Sequence, residues 1–162
     1  MPATSGSTKI SEVRKEIDRL NAESRTADQL MDNITRLLHE KMLKYNWVGF
    51  YMLEAGTNPP VLALGHFQGA MTPHTRIPLN QGICGAAASS GKTVVVDDVN
   101  SDPRYLACSL ETKSEIVVPV FVRGKVAGEL DIDSHFPAAF TFDDRELVEY
   151  CARLVGKRLE NG

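Results

Sequence analysis

The sequence predicts an α+β domain with a central antiparallel sheet and with helices from the two ends of the chain packed on one of its faces. Long stretches with helical spacing of apolar residues lie near the N-terminus and the C-terminus. The strand candidates between them follow one another across short turns, as antiparallel hairpins do. Strands and long helices do not alternate, which argues against a parallel sheet.

Two amphipathic helices are expected in the N-terminal part of the chain. Apolar residues recur at helical spacing across residues 10–20 and again across residues 30–42. Between these stretches, Thr26 followed by Gln29 is typical of a capping box at the start of a helix. We interpret both apolar stripes as surfaces that pack in the core or against a second copy of the chain in a homodimer.

The strand candidates occupy the middle of the chain. Runs of apolar, aromatic and β-branched residues bounded by turn residues predict strands at residues 47–53, 61–67, 93–96, 116–122 and 126–133. The last two are joined by Arg123-Gly124-Lys125, which predicts a compact hairpin. Residues 72–79 are typical of a loop or a short strand because Pro73 and Pro78 interrupt them.

Three other segments complete the predicted order of elements. Residues 85–90 predict a short helix of small residues, and residues 99–113 predict a long loop of the kind that often binds ligands. Thr141 and Asp144 are typical of the start of a final helix. Its buried face is expected to contain Leu147, Cys151, Leu154, Val155 and Leu159.

Composition and charge exclude several classes of protein. The chain has 162 residues and a net charge of -3. It therefore lacks the excess of basic residues that would indicate a nucleic-acid partner. The longest apolar run, residues 116–122, is too short to cross a membrane, and no apolar leader is present at the N-terminus. Three cysteines without a CxxC pair favour a reducing, cytoplasmic compartment. Residues 1–9 are expected to be a disordered tail before a single domain at residues 10–160.

Two motif-like patterns do not meet the requirements of their chemistry. Residues 85–93 resemble a phosphate-binding loop, but five residues separate the two glycines and a strand follows instead of a helix. The histidines are scattered and lack the spacing of zinc ligands; they are His39, His66, His74 and His135. The sequence therefore predicts neither a nucleotide, a metal nor another cofactor.

The three cysteines have different surroundings in the sequence. Cys108 lies in the long loop, where packing in the core explains a cysteine less readily than it does on a helix. We therefore treat Cys108 as a candidate reactive thiol. Cys151 falls on the buried stripe of the last helix and is interpreted as a core residue. Cys84 lies among glycines, between Gly82 and Gly85, where close backbone packing favours a structural role.

Three acidic residues form the second candidate group. Asp131 and Asp133 are two positions apart on a strand, so their side chains face the same side of the sheet. Glu115 lies at the start of the preceding strand, although the register between the two strands is left open by the sequence. Such acids are either exposed to solvent or line a polar pocket. In a pocket, they could bind an ammonium group or donate a proton to a leaving oxygen.

Seven short segments between residues 46 and 133 form a set. They are Asn46-Trp47-Val48-Gly49-Phe50-Tyr51, Gly65 with Phe67-Gln68-Gly69, Arg76-Ile77-Pro78, Gly82-Ile83-Cys84-Gly85, Ala107-Cys108, Ser114-Glu115-Ile116-Val117 and Leu130-Asp131-Ile132-Asp133-Ser134. In their order, and nearly in their spacing, these segments resemble the free methionine (R)-sulfoxide reductases, which are enzymes built on a GAF domain.

This resemblance implies a GAF fold, a thiol mechanism and a set of site residues. Cys108 falls on the catalytic cysteine, and Cys84 on a second cysteine that is a candidate for the resolving thiol. The acids with catalytic and substrate-binding roles are Glu115, Asp131 and Asp133, and the pocket aromatics are Trp47 and Tyr51. The implied substrate is free methionine sulfoxide, and a thioredoxin-like protein or a small thiol is the implied reductant.

The chain departs from the family pattern near two of these positions. His74 stands where family members commonly carry the main resolving cysteine, and an imidazole cannot form a disulfide. Arg104-Tyr105-Leu106 and Ser109 also differ from the usual residues around the catalytic cysteine. Cys84 or an external thiol would then complete the cycle, or the activity would be impaired.

Two alternatives to an enzyme remain open in the sequence. A GAF module can bind a small ligand and signal without catalysis, and Cys84 with Cys108 could form a regulatory disulfide as a redox sensor. Sensor modules usually adjoin an output domain, and 162 residues leave no room for one beside the GAF domain. The sequence therefore favours the oxidoreductase.

Overall fold

The computed structural model describes residues 6–105 and 110–161, with side-chain surroundings from Thr8 onwards. Its helices are α1 (Gly6–Glu23), α2 (Ala27–Lys41), α3 (Gly82–Ser90) and α4 (Phe142–Glu160), together with a 3-10 helix at Val99–Ser101. Its strands are β1 (Trp47–Leu53), β2 (Val61–Gln68), β3 (Arg76–Pro78), β4 (Val94–Val96), β5 (Ser114–Val122) and β6 (Lys125–Ser134). Within these ranges, every helix is too short or too polar to cross a bilayer.

The six strands form one antiparallel sheet in the order β3-β2-β1-β6-β5-β4. The hairpins β1–β2 and β5–β6 supply four of the six strands, and β1 joins the two hairpins by pairing with β6. This arrangement confirms the predicted α+β class and places β6 near the middle of the sheet, where both of its edges are paired.

The two faces of the sheet have different covers. Val48 and Phe50 of β1 face a core that is shared with α1, α2 and α4. Trp47 and Tyr51 face the opposite side, where α3 and Tyr105 cover the sheet. Because side chains alternate along a strand, one aromatic segment supplies both cores. The terminal helices therefore lie on one face as predicted, and α3 occupies the other.

Side-chain caps explain where two of the helices begin. Thr26 accepts a hydrogen bond from the Gln29 amide at 3.1 Å, but the Gln29 side chain accepts from Arg25 rather than closing a capping box on Thr26. At the start of α4, Thr141 and Asp144 form the complete predicted box. Polar side chains thus pair amide groups that the first turn of a helix leaves without partners.

The N-terminal segment differs from the prediction of a tail. Helix α1 begins at Gly6, so the last four residues of the segment predicted as a tail are helical, and residues 1–5 lie outside the described part of the chain. The apolar stripes of α1 and α2 pack within the chain, in the core beneath the sheet. The two stripes are therefore buried within one chain, without the subunit contact that was their alternative expected role.

The predicted long loop begins with the 3-10 helix Val99–Ser101, which Asp98 caps by accepting from the Asn100 amide at 3.1 Å. An ion pair between Arg104 and Asp102, with an N–O distance of 2.6 Å, follows directly. Tyr105 then packs against the same core as α3. Residues 106–109, which include Cys108, lie outside the described residues.

Candidate active site

Three buried carboxyl groups come together on the face of the sheet that α3 covers. Glu115 of β5 is paired directly with Asp133 of β6, and Asp131 is paired with the next inward-facing position of β5, Val117. Only 5% of Glu115, 3% of Asp131 and 4% of Asp133 is exposed. Of the two interpretations that the sequence left open, solvent exposure is therefore excluded and a polar pocket remains.

The aromatic residues of β1 border this acidic cluster. Trp47 lies opposite Asp133 in the β1–β6 pair, and Gly49 lies opposite Asp131. A side chain at Gly49 would collide with the indole ring of Trp47, so the glycine leaves room for that ring above the sheet. Trp47 and Tyr51 share a face as predicted, with ring centroids 6.1 Å apart.

Hydrogen bonds fix both aromatic side chains to the loop between β2 and β3. The indole Nε1 of Trp47 donates to the Ala70 carbonyl at 3.0 Å. The hydroxyl of Tyr51 donates to the His74 carbonyl at 2.7 Å. Because both donors are held by backbone oxygens, the two aromatic rings have fixed positions beside the acidic cluster.

Cys84 brings a thiol to the acidic cluster from the first turn of α3. Its Sγ donates to Oδ2 of Asp131 at 3.4 Å. Next to it, a Cβ at Gly85 would lie 2.7 Å from the Leu79 carbonyl oxygen, so the helix approaches the preceding segment closely, as the glycines suggested. Cys84 is therefore held tightly by the backbone, while its sulfur faces the candidate site.

The electrostatics keep this thiol protonated in the resting protein. Burial raises the pKa of Cys84 well above its usual value, and the charges of Asp131, Glu129 and Glu115 raise it further. A thiol with a raised pKa is a poor nucleophile. The structure thus makes Cys84 unsuited to the first attack on a substrate, while a resolving role stays a prediction.

The carboxyl groups also hold their protons more strongly than usual. Burial raises the pKa of Glu115 and that of Asp133 well above their ordinary values, and the nearby charge of Asp131 adds to both shifts. Burial raises the pKa of Asp131 as well, but hydrogen bonds from Glu115 and Cys84 oppose that rise. Of the three acids, Asp131 therefore has the pKa that is raised least, and Glu115 beside it holds its proton more strongly.

A fourth buried acid, Glu129, was not predicted from the sequence. It precedes Asp131 and Asp133 by the same two-residue step on β6, so the alternation that identified those two could also have identified Glu129. It is fully buried, and neither of its carboxyl oxygens has a hydrogen-bond partner among the residues that the structure describes. Burial raises the pKa of Glu129 well above its usual value.

A small cavity lies between these groups and α3. Its walls include Tyr51, His74, Cys84, Glu115 and Asp131, and its volume is about 20 Å³. That volume accommodates one water-sized group. His74, the residue that departs from the family pattern, therefore lies in the wall of the candidate site. Cys108 cannot be placed because it lies outside the described residues.

Potential metal ligands also converge here. Cys84, Glu115 and Asp131 each offer one ligand atom, and these three atoms lie within 4.8 Å of one another. These residues come from α3, β5 and β6, so no spacing in the sequence signals the group. The expectation of no metal was based on the spacing of the histidines, and this group of ligands contains no histidine.

Comparisons with known proteins agree with this fold. Residues 26–159 match the family model of the GAF domain. The chain is 36% identical to free methionine-R-sulfoxide reductase from Neisseria meningitidis, solved by X-ray in complex with its substrate, with a TM-score of 0.89; the match covers 99% of this chain and 93% of that chain.

Two curated proteins have the same description. The Saccharomyces cerevisiae free methionine-R-sulfoxide reductase is 43% identical over 113 residues, which are 69% of this chain and 62% of that protein. The Escherichia coli free methionine-R-sulfoxide reductase is 39% identical over 114 residues, 70% of this chain and 66% of that protein.

The sheet, its helices and the family match define a GAF domain, and the face of its sheet that α3 covers contains buried acids and aromatic rings. Within this fold, the chain belongs to the free methionine-R-sulfoxide reductase family. The resemblance found in the sequence is thereby confirmed.

Proposed function

We propose that the chain reduces free L-methionine (R)-sulfoxide to methionine, with Cys108 as the nucleophile. The observation that supports this most strongly is the buried group of Glu115, Asp131 and Asp133 beside Trp47 and Tyr51. A buried carboxylate is costly unless it is paired, and a cationic ligand offsets that cost. A free amino acid carries such a cation, whereas a methionine residue within a peptide does not.

In this account, Asp131 binds the ammonium group of the substrate. It is the acid whose proton is held least tightly, because Glu115 and Cys84 donate hydrogen bonds to it. Asp133 lies opposite Trp47 and contributes a second carboxyl group beside Asp131. The rings of Trp47 and Tyr51 form the apolar part of the pocket against which the thioether chain packs.

Glu115 supplies the proton that the chemistry requires. The sulfur of Cys108 attacks the sulfoxide sulfur, and a neutral carboxyl protonates the sulfoxide oxygen. The oxygen is transferred to the Cys108 sulfur, which becomes a sulfenic acid, while the substrate sulfur gains two electrons and leaves as methionine. The raised pKa of Glu115 keeps its proton available near neutral pH.

Thiol chemistry then restores Cys108. The thiol of Cys84 condenses with the sulfenic acid, which forms a disulfide and releases water. A thioredoxin-like dithiol or a small thiol reduces that disulfide by exchange. Because His74 cannot take part in this exchange, Cys84 is the internal thiol proposed for the step, with an external thiol as the alternative.

The substrate requires more space than the site offers at rest. The cavity of about 20 Å³ is smaller than methionine sulfoxide, so its walls must move apart on binding. The segment that carries His74 is suited to this movement, since it leads into the three-residue edge strand β3. This movement would break the hydrogen bond that the Tyr51 hydroxyl donates to the His74 carbonyl.

The compartment and assembly are also proposed. Cys84 and Cys151 are thiols rather than disulfides, which fits the reducing cytoplasm. A homodimer was expected from the stripes of α1 and α2, but these pack in the core. A subunit contact would therefore use other surface, such as the exposed side chains of Leu43 and Phe142, and light scattering would measure it.

The activity test uses both epimers of free methionine sulfoxide and two reductants. Methionine formation is measured with dithiothreitol in one set and with thioredoxin, its reductase and NADPH in the other. We expect turnover of the (R) epimer alone. A Cys84→Ser variant that keeps the dithiothreitol activity and loses the thioredoxin activity would support Cys84 as the resolving thiol. Binding of the (R) epimer without turnover would instead favour a GAF sensor.

A further inference from the structure

We propose that Cys84, Glu115 and Asp131 bind one Zn²⁺ ion at the position that the substrate ammonium would otherwise occupy. The three residues come from α3, β5 and β6 and are all buried. Each offers one ligand atom, and these atoms lie within 4.8 Å of one another. A single ion can therefore reach all three with small side-chain movements.

The distances within the group suit tetrahedral zinc. Bond lengths of about 2.3 Å to sulfur and about 2.1 Å to oxygen, at a tetrahedral angle, separate the two ligand atoms by about 3.6 Å. In the structure, Sγ of Cys84 lies 3.4 Å from Oδ2 of Asp131. The thiol proton that now joins them would pass to solvent when the ion takes its place.

Unpartnered oxygens provide an independent indication of a ligand. Oδ1 of Asp131 and Oδ1 of Asp133 have no hydrogen-bond partner within the described part of the chain, although both side chains are more than nine-tenths buried. Buried oxygens without partners are uncommon in native proteins and often mark an ion or a water. The cavity beside Asp131, with about 20 Å³, has the size of one such group.

The ligand types select zinc among common divalent ions. Mg²⁺ and Ca²⁺ prefer oxygen ligands only, whereas Zn²⁺ accepts thiolate sulfur and carboxylate oxygen in one site. Three protein ligands leave the fourth tetrahedral position open. An open site of this kind exchanges its metal more readily than a closed structural site, which is consistent with reversible control.

Zinc at this position would compete with the substrate. The ion would occupy the oxygens of Glu115 and Asp131 that the proposed mechanism uses for proton donation and ammonium binding, and it would also block the Cys84 thiol. The competition rests on the proposed function, but metal binding by itself does not. The two statements can therefore be tested separately.

The binding experiment uses the full reduced chain after removal of metal. Zn²⁺ is titrated in competition with a chromophoric zinc indicator, and Co²⁺ is added in parallel because a cobalt–thiolate bond gives a charge-transfer absorption band. The variants are Cys84→Ser and Asp131→Asn, and Cys151→Ser is the matched control since Cys151 is a buried thiol of the opposite core. Circular dichroism verifies that each variant is folded.

We expect one equivalent of Zn²⁺ in the wild type and in Cys151→Ser, and at least about tenfold weaker binding in Cys84→Ser and Asp131→Asn. The cobalt band should disappear in Cys84→Ser alone among the cysteine variants, including Cys108→Ser. Methionine sulfoxide in excess should weaken zinc binding by the wild type. Absence of zinc binding, or binding unchanged in both site variants, would overturn the metal site; binding that is indifferent to methionine sulfoxide would overturn the competition.

Discussion

Glu115 and Asp133 lie directly opposite each other in the antiparallel pair β5–β6, and both are buried. Two carboxyl groups on directly paired residues in a low-dielectric environment repel each other strongly when both are charged. At least one of them therefore retains its proton. The pairing therefore favours a neutral carboxylic acid in this site, where the pKa of Asp131 is raised less than those of Glu115 and Asp133. This division of roles leads to the first prediction.

Replacing Glu115 and replacing Asp131 should affect different kinetic constants. Glu115→Gln removes the proton donor, so kcat should fall by about 10²- to 10⁴-fold. Asp131→Asn removes the charge that pairs with the ammonium group, worth about 1.5–3 kcal/mol, so KM should rise by about 10- to 150-fold. Glu146→Gln, at an exposed position of α4, is the control and should leave both constants unchanged. Equal losses of kcat in both site variants would contradict the assignment.

The acidic wall should reject substrates that lack a free ammonium group. N-acetyl-methionine (R)-sulfoxide presents a neutral amide to Asp131 and leaves the buried charge without compensation. We expect its kcat/KM to be lower than that of the free amino acid by at least about 10²-fold. Steady-state methionine-product assays on the two compounds measure this ratio. Comparable values would indicate that the acids do not bind the ammonium group.

Glu129 should make the protein less stable as the pH rises. Its pKa in the folded chain is raised well above its usual value, whereas the unfolded chain titrates near about 4.3. Above that value the folded state binds more protons than the unfolded state, so the free energy of unfolding falls as pH increases toward the folded pKa. The glutamine of Glu129→Gln cannot titrate. The free energy of unfolding of this variant should therefore exceed that of the wild type by more than about 1 kcal/mol at about pH 8.

The measurement for Glu129 is urea unfolding of both proteins across the range from about pH 4 to about pH 8. The two curves should converge at the acidic end and separate as pH rises. Glu146→Gln again provides the control, with a constant difference from the wild type. A Glu129→Gln variant that is least stable at alkaline pH would show that Glu129 is charged and paired in the folded protein.

Gly49 should be required for the position of Trp47. A Cβ at this residue would lie 2.7 Å from Cζ3 of the indole and collide with its neighbouring ring carbon, so Gly49→Ala must displace the ring. We expect a loss of about 1–3 kcal/mol in stability and a rise in KM. Trp47 is the only tryptophan, so its fluorescence reports the displacement directly.

Gly65→Ala is the matched control for this substitution. Its added Cβ would lie 3.4 Å from the Phe50 carbonyl oxygen, which is an ordinary contact. Fluorescence and KM should therefore remain close to the wild-type values. An unchanged Trp47 emission in Gly49→Ala would mean that the indole does not depend on the space above the glycine.

The faces and types of the elements could be predicted because periodicity determines them. The spacing of Trp47 and Tyr51, and that of Asp131 and Asp133, each placed two side chains on one face, and the structure confirms both pairs. Their burial could not be predicted in the same way. It depends on α3, which is brought over this face by tertiary packing rather than by any local pattern in β6.

The register of β5 and β6 was also beyond sequence analysis. The turn at Arg123-Gly124 pairs Val122 with Lys125, and this register continued without interruption would place Glu115 opposite Ile132. A register shift between Val120 and Phe121 moves the pairing by one residue and brings Glu115 opposite Asp133 instead. Because a shift of one residue reverses the faces, this β-bulge decides whether the acids meet.

The most direct test of the proposed chemistry is a single turnover without reductant. Reduced protein is mixed with excess free L-methionine (R)-sulfoxide, methionine is quantified, and the state of Cys108 is read by peptide mass spectrometry. We expect about one methionine per chain, with Cys108 oxidised to a sulfenic acid or joined to Cys84, and no methionine from Cys108→Ser. Methionine formed by Cys108→Ser, or none formed by the wild type, would contradict it.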